Sequence, residues 1–193
     1  MSNEKLNNTF QNKITILIKK NLRNLSIFFV VLILILFGYF FFLDFKKKSD
    51  IKISEEYTQA TIQFKEKKIE EAKRLLENII NKKHKFYSPL SLYFIIDNNL
   101  EKDTLITVNF FDKILAINSI DKENLNLIKI KKAIFLFNTG EEESILRTLN
   151  PVINSDSIWR EMAIKLISDY FLSKNQIIKA NEYIKLLNNK IAK

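Results

Sequence analysis

The chain has 193 residues, 47% of them apolar, with two glycines, two prolines, one histidine and no cysteine. Beside a membrane segment this leaves room for one ordinary domain, and it excludes a disulfide framework and zinc sites built on several Cys or His ligands. The net charge of +9 is uneven: residues 1–53 carry nine bases against three acids, so +6, and residues 54–193 carry 22 against 19, so +3. An excess gathered beside an apolar segment fits a membrane anchor better than a nucleic-acid face, and no nucleic-acid partner is expected.

Residues 1–24 read as a basic tail in which Ile14, Leu17, Ile18, Leu22 and Leu25 recur at helical spacing between Lys13, Lys19, Lys20 and Arg23. They either lie on an anionic membrane surface or continue the following helix. Residues 25–45 read as a transmembrane anchor. From Ile27 to Leu43 no residue is charged, and Leu25 and Ser26 extend the run to 19 residues. At about 1.5 Å per residue that is roughly 29 Å, against a hydrocarbon core of about 30 Å. The stretch FFFLDFKKKSD offers no small-x-small cleavage site, so the anchor is expected to stay uncleaved.

Residues 46–53 form a basic linker, in which Lys46, Lys47, Lys48 and Lys52 nearly balance Lys13, Lys19, Lys20 and Arg23 on the other flank. Lys19, Lys20, Arg23, Lys46, Lys47 and Lys48 are the expected membrane-surface cations. With flanking charge nearly tied, the short tail and long C-terminal portion favour a cytoplasmic N-terminus and a translocated domain.

Residues 54–193 predict helices, because the apolar positions follow a helical period and turn formers are scarce. The run Ile69 to Ile80 sets Ala72 among Ile69, Leu76 and Ile79, and the last segment repeats this with Ala180 among Ile177, Ile184 and Leu187. Val108 and Ile145 take the equivalent place between them. The resulting period of about 36 residues is close to that of tetratricopeptide repeats. The expected fold is therefore all-α: one transmembrane helix, then a tetratricopeptide-repeat-like solenoid of about four helix-turn-helix units. Tight turns are expected at Lys67, Asp103, Gly140 and Asn175, with Ala60, Ile96, Ala133 and Ser168 in the middle of the first helix of each pair.

The stretch LNPVINSDSIWREMAIKLISDYFLSKNQIIKANEYIKLL, residues 149–187, resembles the YfgM-like tetratricopeptide-repeat proteins of bacterial inner membranes. In that family a Pro and an Asp-Ser pair precede Trp-Arg, an apolar helix, a short turn and an Ala-centred helix. Ile158 stands where many relatives carry Pro, and Asn175 where they carry Gly. The resemblance implies a single-pass inner-membrane protein with a periplasmic domain. It also implies an ancillary role at the Sec translocon, with translocon subunits, a periplasmic chaperone or client proteins as partners.

Candidate chemistry is sparse. His84, the lone histidine, falls in a polar connection, and most carboxylates alternate with lysines as on a solvated helix face. The only glycines, Gly38 and Gly140, make no phosphate loop, so no cofactor, metal or catalytic residue is expected. Trp159 is expected to pack the junction of the third and fourth units beside Pro151. A docking groove on the first helix of each pair would use Tyr57, Thr61 and Phe64, then Tyr93 and Asp97, then Ile130, Ile134 and Phe137, then Asp169. Two readings of function stay open. One is a non-catalytic scaffold serving protein translocation; the other is a self-associating envelope protein coordinating cell division or wall assembly.

Overall fold

A computed structural model describes residues 2–137 and 141–187, with side chains from Ser26 onward. Among the described residues the chain is all-helical, and it divides into two compact units, residues 1–52 and 53–193. The helices are α1 (Ser2–Lys65), α2 (Ile69–Asn81), α3 (Tyr87–Asp97), α4 (Thr104–Leu115), α5 (Lys122–Leu136), α6 (Glu142–Ile153), α7 (Arg160–Ser173) and α8 (Ile177–Lys185).

The first unit is α1 up to Lys52. Ile27 to Leu43 are exposed on every side of it, so no face of this stretch is covered by the chain itself. Among the described residues it belongs to the one helix long and apolar enough to cross a membrane. Lys46, Lys47 and Lys48 are exposed, and Lys48 Nζ pairs with Asp44 at 2.7 Å one turn away. The side chains of Lys19, Lys20 and Arg23 lie outside the described residues. The stretch 46–53, expected as a linker, is helical; it holds neither Gly nor Pro to break the ladder.

The second unit starts at Ile53, which is buried. Local sequence explains its helices. In α2 the residues Ala72, Leu76, Ile79 and Ile80 fall on one face and are buried, while Glu70 and Glu71 sit in the first turn, where acids favour the exposed amides. Asp103 caps α4 by accepting from the Leu105 and Ile106 amides, and Asp121 caps α5 by accepting from the Asn124 amide at 3.0 Å. Pro151 lies in α6, which ends two residues later at Ile153.

From α2 onward each helix packs on the next, with two additional approaches, α2 on α4 and α5 on α7. Contacts thus stay local along the chain, as in a stacked array. The interior forms two clusters. One gathers Ala60, Leu76, Ile80, Leu92, Ile95, Phe111 and Ile114; the other gathers Ala133, Ile145, Leu149, Ile164, Ile167, Phe171 and Ala180. Phe135 packs against both.

Several side-chain bonds join residues 33 or 34 positions apart. Tyr87 Oη donates to Ser54 Oγ across 33 residues, Ser157 Oγ to Glu123 across 34, and Gln176 Nε2 to Glu142 across 34. Three turns between successive helices also share one form. Lys67, Asn99 and Asn175 all have positive φ, at 63°, 51° and 58°. In each case the following amide bonds five residues back: Lys68 to Gln63, Leu100 to Ile95 and Gln176 to Phe171. This is the Schellman closure of a helix end. Gly140 lies outside the described residues.

The second unit of the repeat departs from its expected register. Asn99, not Asp103, makes the left-handed turn, and Asp103 instead begins α4 four residues later. Counting back seven residues from the turn, Leu92 takes the place of Ala60 and Ser168, and it is fully buried. Ile96, expected there, is only half-buried. Likewise Thr107 is buried in α4 along with Phe110, Phe111 and Ile114, whereas Val108 is partly exposed and Leu105 is 78% exposed.

Candidate protein-docking groove

The first helix of each pair was expected to line a groove, and the structure divides those residues into two sets. In α1 the Tyr57 ring lies 5.8 Å from Tyr87 and 6.3 Å from Phe94, and the Phe64 ring meets Phe94 edge-on at 5.2 Å. Aromatic rings in this geometry join α1 to α3 rather than leaving a channel between them. Thr61 Oγ1 donates to the Thr58 carbonyl at 2.7 Å, a bond within its own helix.

Two further expected groove residues, Ile130 in α5 and Phe137 at its end, pack inward. Ile130 is 1% exposed and belongs to the core, because α5 carries apolar residues on two faces and Ile130 falls on the inner one with Ala133. Phe137 packs edge-on against Tyr170 at 5.6 Å and helps close the junction of α5 with α7.

The remaining four, Tyr93, Asp97, Ile134 and Asp169, line two depressions. One of ≈ 150 Å³ lies between α3 and α5, walled by Tyr93, Ile96, Asp97, Lys131 and Ile134 over Phe111 and Phe135. Lys131 Nζ stands 4.5 Å from the Tyr93 ring centroid, a cation–π contact linking the two helices. Burial pushes the Tyr93 phenol up to about 12, since the charged form is poorly solvated there. The other depression, of ≈ 470 Å³, lies between α5 and α7, with Ile134, Ile158, Trp159, Met162, Leu166 and Asp169 on its walls. Ile134, 53% exposed, borders both.

Ile158, Met162 and Leu166 were not read from sequence, although the signal was present. They recur at intervals of four residues, a second apolar stripe beside the core stripe of Ala163, Ile164, Ile167 and Phe171. Ile158 is 75% and Met162 48% exposed. The rim is charged on both sides of neutrality, with Lys165 bonded to Glu161 at 2.5 Å.

The start of α7 is held firmly. Ser157 Oγ donates to Glu123 Oε2 at 2.6 Å, and the Ile158 amide donates to the same oxygen at 3.2 Å. Arg160 Nε donates to the Ile153 carbonyl at 3.0 Å and its terminal nitrogen to the Leu186 carbonyl at 2.9 Å. Trp159 is half-buried against the second core. His84 has a local role: its Nδ1 accepts from the Phe86 and Tyr87 amides at 3.2 and 3.0 Å, at the entry to α3. Among the described residues no three His, Asp or Glu side chains converge as a metal site requires.

No family model matches the chain, and neither a curated protein nor a solved structure does so.

Proposed function

We propose that this protein is a membrane-anchored, non-catalytic docking scaffold, in which tetratricopeptide-repeat-like pairs from the end of α1 to α8 hold protein segments close to a bilayer. The observation that carries the reading is the joint occurrence of an uncovered 17-residue apolar stretch and an exposed apolar trench around Ile134, Ile158 and Met162 on one chain. Tethering confines partners near the surface, so a trench of modest affinity is sufficient. The occupant we assign to it is an apolar segment of a client emerging from a translocation channel. Apolar walls accept such side chains, and the mixed-charge rim imposes little sequence selection. The resemblance of residues 149–187 to ancillary translocon subunits supplies this partner class, together with an inner-membrane location and a periplasmic domain.

Photo-crosslinkers placed at Ile134 and Met162 in membranes test the proposal. Recovery of channel subunits or secreted clients supports it; recovery of only wall enzymes or of the protein itself refutes it. A reporter fused after Lys193 must also read as translocated.

One observation favours the self-association reading. Ile177 and Ile178 at the start of α8 are 60% and 78% exposed, an apolar patch that a second copy would cover. Crosslinks from Ile178 that recover a second copy support that reading, and a monomer at every concentration discards it.

A further inference from the structure

A cavity of ≈ 600 Å³ lies away from the trench, among α4, α5 and α6. It exists because α4 and α6 make no close approach like those of α2 on α4 or α5 on α7. Its size is that of a small-molecule site.

Polar groups from three helices meet in it. Lys129 of α5 is half-buried, and its Nζ donates to Asn126 Oδ1 at 3.2 Å with no carboxylate in ion-pair range. Arg147 of α6 donates to Ser144 Oγ at 3.4 Å. Lys132 is already engaged, with Asp112 at 2.6 Å. Three cations, Lys129, Lys132 and Arg147, thus face two carboxylates, Asp112 and Glu141, leaving an excess of one positive charge. A half-buried ammonium without a counter-charge is costly, and an anion in the cavity would offset that cost. Burial holds Lys129 below the ordinary lysine range, as expected for an unpaired cation. The other walls, Val108, Leu115 and Leu136, are apolar, and Leu105 stands 78% exposed at the mouth.

We propose that this cavity binds the carboxylate of a ligand whose remaining body is apolar. A single negative charge matches the excess of one, where a phosphate dianion would exceed it. The Arg147 guanidinium suits a planar carboxylate, and Lys129 supplies the deeper point charge. The apolar body lies along Val108 and Leu115 towards Leu105. Both a free apolar acid and the C-terminus of a peptide ending in apolar residues carry this chemistry. The inference is independent of the docking trench, which shares none of these side chains.

Calorimetric titration of the full chain in nanodiscs of zwitterionic lipid, with empty discs as blank, tests it. The probes are N-acetyl-dileucine as the free acid, the same compound as its C-terminal amide, hexanoate and inorganic phosphate. The free acid should saturate and bind about tenfold tighter than its amide and than phosphate, and Lys129→Met and Arg147→Met should each weaken it about tenfold. Hexanoate binding alongside identifies any apolar acid as a ligand; acid binding without hexanoate identifies a chain terminus. Equal affinity for amide and acid, tighter binding of phosphate, or no saturable signal from either carboxylate overturns the proposal. Unchanged affinity in a folded Lys129→Met protein does the same. Should that variant fail to fold, Arg147→Met at an exposed position decides alone.

Discussion

The two halves of the helical domain use the same helix pair and close it differently. In the first half α2 packs on α4, and the rings of Tyr57, Phe64, Tyr87 and Phe94 interlock α1 with α3. In the second half α5 packs on α7, where Phe137 meets Tyr170 edge-on, and beside that ring contact Ile134, Met162 and Leu166 wall an open depression. Between the halves, α4 and α6 stand apart around the large cavity. A repeat period determines which residues meet one unit later, whereas side-chain volume at those positions determines which face seals.

The strongest way to break this comparison is to damage one core alone. Phe171→Ala, at a site 1% exposed, should cost about 3–5 kcal/mol in denaturant unfolding. Hydrogen exchange should show amides of α7 and α8 losing protection while α2 and α3 keep theirs. Uniform loss would mean a single cooperative core.

Next comes the close approach within a pair. Ser168 is 1% exposed and its Oγ donates to the Ala180 carbonyl at 3.2 Å. Ser168→Leu is expected to destabilise by about 1–3 kcal/mol through overpacking, and Ala60→Leu in the first half by a similar amount. Matching thermal shifts would show that both ends share one helix-pair geometry.

The turns give a smaller effect of opposite sign. Lys67 holds φ 63° and Asn175 φ 58°. Lys67→Gly should gain up to about 1 kcal/mol by removing the Cβ penalty, and Asn175→Ala should lose about as much. A loss on Lys67→Gly, measured by chemical denaturation, would show that the lysine side chain matters more than its backbone.

The smallest effect is electrostatic. A hydrogen bond from Lys73 Nζ, at 2.7 Å, together with the Asp103 amide, holds the Glu101 carboxyl below its ordinary range. A depressed carboxylate contributes stability above its unfolded pKa and loses it as pH falls through the folded value. Glu101→Gln should therefore cost about 0.5–1 kcal/mol near neutrality after solvent screening and nothing in acid. At the alkaline end Tyr93, raised to about 12, works in the other direction: its contribution is complete below the unfolded value near 10 and fades as pH rises through about 12. Ultraviolet titration of Tyr93→Phe against the parent isolates it.

The helical class and the apolar segment were legible because both rest on patterns that many residues share: 17 uncharged positions in a row, and apolar spacing repeated over every helix. Single-residue assignments fared less evenly. Asp103 looked like a turn and is a cap, because aspartate serves both roles and only the backbone at Asn99 separates them. Thr107 hid as a surface residue, yet its hydroxyl bonds back to the Asp103 carbonyl at 3.2 Å and so enters the core satisfied. Ile130 and Ile134 lie one turn apart in α5, and nothing in their identity distinguishes core from trench. Lys129 and Arg147 were invisible among so many charged side chains, since the cavity around them depends on helices that stay apart.

The Glu123 carboxylate, which receives both Ser157 Oγ and the Ile158 amide, has a consequence for rebuilding the array. It is a clasp whose halves belong to different modules. An engineer who transplants the last helix pair onto another array must graft an acid into the host helix beneath it, or the incoming serine and amide arrive without their acceptor. Any cut between Glu123 and Ser157 severs that clasp.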